Sequence, residues 1–300
     1  MEPLLLTRRE MMAKSARVAL GGLAFAGGVF GGSSPGPRET QTHLRGFKIG
    51  VCDWTLGKRT DPSALEMAKR LGLDGVQVDL GRPEDDLPLR KPELQKKYRE
   101  LAKAYGVEIS SLAIAAMNDV PYKSDPRAEP WVADSIDACK AMGVRVVLLA
   151  FFGKGDLRND AKGTDAVIQK LKQVAPKAEK SRVILGFESW LSARQHLEIL
   201  DRVGSSAVQV YYDVGNSHHE GYNIYEEIRF LGQRICEVHA KDYDDLYGKG
   251  SINFPEVRRA LDDIGYRGWI VIEGVKMPRG LEESIQYDER YLRGIFPSKI

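Results

Sequence analysis

The chain has 300 residues, 43% hydrophobic and 29% charged, with a formal charge of +2. This balance fits a globular chain and excludes the disordered and fibrous classes. Lysine and arginine are scattered among nearly as many acids, so there is no basic stripe to grip a nucleic-acid backbone.

The first 45 residues stand apart from the rest. "LTRREMMAKSARVALGGLAFAGGVFGG" pairs Arg8 with Arg9, carries no acid after Glu10 and continues in small and apolar residues, the layout of an export signal. Its "TRREMMAK" resembles the twin-arginine signal, with Met11 and Met12 in place of Phe and Leu and Lys14 one position late. That resemblance implies a bacterial periplasmic or secreted location. Ala24-Phe25-Ala26 and positions further along equally offer a cleavage site, and the Gly- and Ala-rich span interrupted by Arg17 is a weak membrane anchor. No stable membrane association is therefore expected once the signal is removed. "GGSSPGPRETQTH" then reads as a flexible linker, leaving residues 46–300 as a single folded domain.

From residue 46 a cadence repeats. Apolar, β-branched runs occur at Phe47–Leu56, Gly75–Leu80, Val107–Ala115, Val144–Phe152, Val183–Trp190, Val208–Asp213, Ile235–Ala240 and Trp269–Glu273. Amphipathic stretches such as "PSALEMAKRLG", "PELQKKYRELAKAYG", "WVADSIDACKAMG", "SARQHLEILDRVG" and "FPEVRRALDDIG" lie between them, with apolar residues at helical spacing. These five close on Gly72, Gly106, Gly143, Gly204 and Gly265, where a left-handed residue ends a helix at little cost. Strands apolar on both faces and alternating with helices imply a parallel sheet covered by helices. Eight such units in about 255 residues predict a (β/α)8 TIM barrel. A doubly wound sheet is the structural alternative, but no G-x-G-x-x-G follows the first strand. The three cysteines, Cys52, Cys139 and Cys236, are too few and too dispersed for a disulfide framework or zinc cluster, and read as small buried hydrophobes.

In such a barrel the C-terminal ends of the strands form the mouth of the site. Four consecutive strands, the fifth to the eighth, end on Glu188, Asp213, His239 and Glu273, spaced by 25, 26 and 34 residues. Three carboxylates and an imidazole converging without a cation would repel one another and be costly to desolvate. A divalent metal removes the conflict. Oxygen-rich ligation with one nitrogen suits Mn²⁺, and Mg²⁺, Co²⁺ or Zn²⁺ also fit.

The same residues carry a family resemblance running from about residue 46 to the end. Glu188, "YYDVGNS", "EVHAKD", "YGKGSINFPEV" and "GYRGWIVIEG" resemble the sugar phosphate isomerase/epimerase group of xylose isomerase-like TIM barrels. The resemblance implies that Glu188, Asp213, His239 and Glu273 bind the metal, with the two glutamates on opposite sides of the substrate as acid and base. The chain departs from the pattern at Asn216, where many relatives have histidine, and at Lys249 and Asn253, where acids are usual. Substrate identity is what these departures leave open.

Such a site suits proton transfer at a carbon beside a carbonyl, through an enediolate. Return of the proton to the same carbon epimerises, and return to the neighbouring carbon isomerises. A leaving group β to the carbanion makes the same machinery a lyase, for instance on 3-keto-glycosides. Lys241, two residues beyond His239, points to the same side and can face an enediolate oxygen or pair with Asp242. Trp54 and Trp190 can stack on a sugar's apolar face. His218 or His219, after strand six, can reach the substrate or stay in solvent. Phe151 and Phe152 suggest an apolar wall. Because sugar phosphates are chiefly cytoplasmic, export favours an unphosphorylated carbohydrate. A homo-oligomer is compatible with the sequence. The rivals are an endonuclease IV-like nuclease, which needs more than the five histidines present, and a non-catalytic sugar-binding barrel, which would not need both glutamates.

Overall fold

The computed structural model describes residues 46–274 and 276–298. The expected export signal and linker lie outside these residues. Eight parallel strands close into a barrel in sequence order. They are β1 Lys48–Cys52, β2 Gly75–Asp79, β3 Glu108–Ile114, β4 Val146–Phe151, β5 Ile184–Ser189, β6 Val208–Asp213, β7 Ile235–Ala240 and β8 Trp269–Ile272. The ring is closed by β1 on β8, with Lys48 opposite Trp269 and Val51 opposite Ile272. The eight expected runs therefore all form strands, several of them shorter than the apolar runs that announced them.

Helices cover the outside. α1 Ser63–Leu71 follows β1, α2 Pro92–Tyr105 follows β2, α3 Ala128–Met142 follows β3, and α4 Ala161–Ser181 follows β4. α5 Ala193–Val203 follows β5, while the β6–β7 connection holds two helices, α6 Val214–His219 and α7 Ile224–Leu231. α8 Phe254–Asp263 precedes β8, and α9 Leu281–Ile295 completes the ring. α1, α2, α3 and α5 end on Gly72, Gly106, Gly143 and Gly204 with φ between 64° and 84°, the left-handed cap their sequences announced. α5 opens with a capping box between Ser192 and Gln195.

Two cores result. The larger lies between the strands and the helices. Within it Phe151 and Phe187, neighbours on β4 and β5, stack with ring centroids 4.1 Å apart. Phe187 faces away from Glu188 because successive strand residues alternate between faces. Phe187→Ala is therefore expected to cost about 3–5 kcal/mol of stability, measured by denaturant unfolding, without removing any contact of Glu188 on the opposite face.

The smaller core fills the barrel itself, where Ala113, Val146, Leu148, Ala150 and Tyr211 pack together. It shares the interior with polar groups: Cys52, Gln77, Ser111, Glu237 and His239 are all buried. Apolar layers usually fill such a barrel. A polar column below the site needs its own hydrogen-bond partners, and these partners shape the chemistry of His239.

Candidate active site

The strand ends bring together Glu188 of β5, Asp213 of β6, His239 of β7 and Glu273 just after β8. One ligand atom from each lies within 4.8 Å of all the others. Register produces part of this convergence: Asp213 pairs with His239 across β6 and β7. His239 Nδ1 is 3.0 Å from Glu188 Oε1, 3.6 Å from Glu273 Oε2 and 3.7 Å from Asp213 Oδ2.

Burial sets the electrostatics. Glu188, Asp213 and His239 are 4%, 3% and 0% exposed, so little water reaches them to screen their charges. Asp213 uses Oδ1 to accept the Asn216 backbone N–H at 2.8 Å, capping α6, whereas its buried Oδ2 has no hydrogen-bond partner. An orphaned carboxylate oxygen facing an imidazole nitrogen and two further carboxylates is the donor set of a divalent cation. Among the described residues this is the one such group. Cys52 and Cys139 are buried and Cys236 partly so, all three as free thiols.

Lys241 holds the other side of the cluster. Its Nζ donates to Glu273 Oε2 at 2.8 Å and lies 3.6 Å from Asp213 Oδ2. Of the two roles open to Lys241, pairing with Asp242 is thereby excluded: Asp242 accepts the backbone N–H groups of Asp244 and Ile252 instead. Gly215 leaves room for this lysine, because a Cβ there would stand 2.7 Å from Lys241 Cβ. Trp54 Nε1 donates to Glu273 Oε1 at 2.9 Å, which accounts for both oxygens of that carboxylate.

The two glutamates are driven apart. Burial raises Glu188 to about 7, only partly offset by His239. Burial pushes Glu273 the same way, but Lys241 and His239 outweigh it and hold the group below the usual carboxylate range. Burial also opposes charge on His239, and the surrounding acids overcome it. Below about pH 7 a proton must leave Glu188 before a metal can enter, and His239 must surrender one too. Metal affinity is therefore expected to fall as pH falls, by at least about tenfold between pH 6 and pH 5. Mn²⁺ titrations at the two pH values check this.

Over the cluster opens a cavity of about 260 Å³, lined by Trp54, Trp190, Phe152, Asn216, Lys241 and Glu273 among others. Asn216 accepts from the Tyr243 hydroxyl at 2.6 Å, and Trp190 packs against Phe152 and the Arg158 guanidinium. The structure does not bring His218 or His219 to this cavity. Both are exposed and line an adjoining depression with the far side of Tyr243. Phe151 is likewise turned outward, so Phe152 alone carries the apolar wall expected of the pair. Sequence reasoning missed Tyr243, Arg59 and Asn118, which also line the cavity, and Gln77, which meets His239 from within the barrel. A polar Gln77 between Val76 and Val78 was the available signal for the last.

A model of the xylose isomerase-like TIM barrel family matches residues 65–293. The chain belongs to this family. Among curated relatives it is similar to the D-psicose 3-epimerase of Enterocloster bolteae, 24% identical over 264 residues that cover 81% of this chain and 87% of that one. It is also similar to the 2-epi-5-epi-valiolone 7-phosphate 2-epimerase of an Actinoplanes species, 25% identical over 56% of this chain and 62% of that one. Both of these curated relatives are epimerases. The 3-keto-D-glucoside 4-epimerase of E. coli shares the fold with a TM-score of 0.71, at 14% identity over 83% of this chain and 99% of that one.

Proposed function

We propose that this chain is a divalent-metal-dependent sugar epimerase or isomerase that moves a proton at a carbon beside a carbonyl of an unphosphorylated sugar or keto-sugar. The observation that carries the reading is the convergence of buried Glu188, Asp213 and His239 with half-buried Glu273, with Glu188 and Glu273 entering from strands three apart on the ring. Two carboxylates that approach one carbon from different sides can take a proton from one face and return it to the other.

The four residues would hold the metal, Mn²⁺ fitting best, and when bound it supplies Lewis-acid stabilisation of negative charge developing on the substrate oxygens. Glu273, kept ionised by Lys241, is the carboxylate ready to accept a proton at neutral pH. Glu188, the second carboxylate facing the same space, is the one that would return a proton from the other side. Lys241 places its ammonium beside Glu273 and Asp213, where it can also face a developing oxyanion. Trp54 fixes the Glu273 carboxylate, and Phe152 and Trp190 keep water from that wall of the cavity.

Absence of a phosphate is supported by the cations of the cavity wall. Arg59 is paired with the buried Asp79 and Lys241 with Glu273 and Asp213. Both basic side chains lining the cavity are thus already engaged by carboxylates, and among the described residues no cluster of free cations stands there to hold a phosphate dianion. The export-type leader supports the same reading and a periplasmic or secreted location. The experiment compares kcat/KM of the Mn²⁺-loaded protein for free ketoses, aldoses and 3-keto-glycosides with that for the matching sugar phosphates. Higher efficiency on an unphosphorylated substrate is expected. A sugar phosphate turned over far better than any free sugar would overturn the assignment, and the product's structure separates epimerisation from isomerisation and elimination.

A further inference from the structure

The polar column beneath the site decides which nitrogen of His239 faces the metal cluster. His239 Nε2 lies 2.7 Å from Gln77 Oε1. Gln77 Oε1 also accepts from the Cys52 thiol at 3.2 Å, and Gln77 Nε2 donates to Ser111 Oγ at 3.0 Å. All four side chains are 0% exposed, so no water replaces any of these partners. A carboxamide oxygen only accepts, so the ring nitrogen opposite it must carry a hydrogen. In the neutral ring Nδ1 then keeps the lone pair, and it is Nδ1 that faces Glu188, Glu273 and Asp213. Were the amide reversed, its N–H would seek a lone pair on Nε2 and the ring hydrogen would move to Nδ1, among the ligands.

We propose that Gln77 is a positioning residue of the metal centre: its oxygen fixes His239 as the Nε2–H tautomer, which turns the Nδ1 lone pair toward the metal, and Ser111 Oγ accepts from the Gln77 amide N–H on the other side. The assignment rests on the reading that the four-residue cluster holds a divalent cation, and is independent of any substrate. Gln77 lies on β2, across the barrel from β7, and touches none of the three carboxylates through a hydrogen bond, so it acts only through the imidazole. Outer partners of this type typically change metal affinity by about 10–100-fold.

The test titrates Mn²⁺ into the metal-free protein by calorimetry for the wild type, Gln77→Met, Gln77→Glu and Ser111→Ala, with folding of each metal-free form checked by circular dichroism. Gln77→Met preserves length but removes the acceptor, and a weakening of about 10–100-fold is expected. Gln77→Glu restores an acceptor and is expected to bind within a few-fold of the wild type. Ser111→Ala is expected to give a smaller loss and remains informative if Gln77→Met does not fold. Binding by Gln77→Met equal to the wild type, or a loss in Gln77→Glu as large as in Gln77→Met, would overturn the proposal while leaving the metal reading intact. No Mn²⁺ binding by the wild type would overturn both.

Discussion

Glu188→Gln and Glu273→Gln are each expected to lower kcat by about 10²–10⁴ in Mn²⁺-loaded protein. An amide oxygen can still face a cation, but it cannot accept or return a proton at neutral pH. The two variants differ in their surroundings. Glu273 accepts from both Trp54 and Lys241, so its replacement also leaves the Lys241 ammonium with a poorer partner. Glu188 faces His239 alone among the described hydrogen bonds, so its replacement is the cleaner removal of a proton carrier. Steady-state rates at saturating metal, together with metal content, check both. Either variant retaining more than a tenth of wild-type kcat would remove that glutamate from the proton-transfer role.

Lys241→Met is expected to lower kcat by about 10²–10³, the range found when one preorganised electrostatic group is removed from a buried site. It also removes the main influence holding Glu273 below its ordinary range. Burial then acts on Glu273 with less opposition, its pKa rises, and the acid limb of the pH–rate profile moves to higher pH. The same substitution leaves the buried Asp213 and the half-buried Glu273 short of a partner, so the metal-free protein should lose stability, in part recovered on adding Mn²⁺. A pH–rate profile whose acid limb stays in place would mean that Lys241 does not set the protonation of Glu273.

The barrel was legible because parallel strands buried on both faces leave continuous apolar runs, and helices between them leave glycines at their ends. The cluster was legible because each of its members sits at a strand terminus, one βα unit from the next. What escaped lies where contacts join residues distant in sequence. Lys241 pairs with Glu273 rather than with Asp242 because the adjacent loop folds back and occupies Asp242 with its own backbone N–H groups. Arg59 meets Asp79 only because the β1–α1 connection passes over the end of the neighbouring strand β2. The position of His218 and His219 after β6 points to the mouth, but α6 forms there and leaves both exposed, outside the cavity lining.

The departures from the family pattern also find physical reasons. Asn253 caps α8, its side chain accepting the Glu256 backbone N–H, a position where asparagine and aspartate serve equally well. Lys249 is exposed and lies over the Tyr287 ring. Asn216 is buried and tied to Tyr243, so this substitution, alone of the three, changes the wall that a substrate would meet.

Proton exchange is the chemistry on which the whole account stands. The measurement that tests it most directly incubates Mn²⁺-loaded protein in D₂O with free ketoses, aldoses and 3-keto-glycosides and follows the C–H signals by NMR. The account predicts deuterium entering at a carbon next to the carbonyl of at least one unphosphorylated sugar, and its loss in Glu188→Gln and Glu273→Gln. Protein that holds its metal yet exchanges no such hydrogen, or exchanges it equally well without the two glutamates, would contradict the proton-transfer reading.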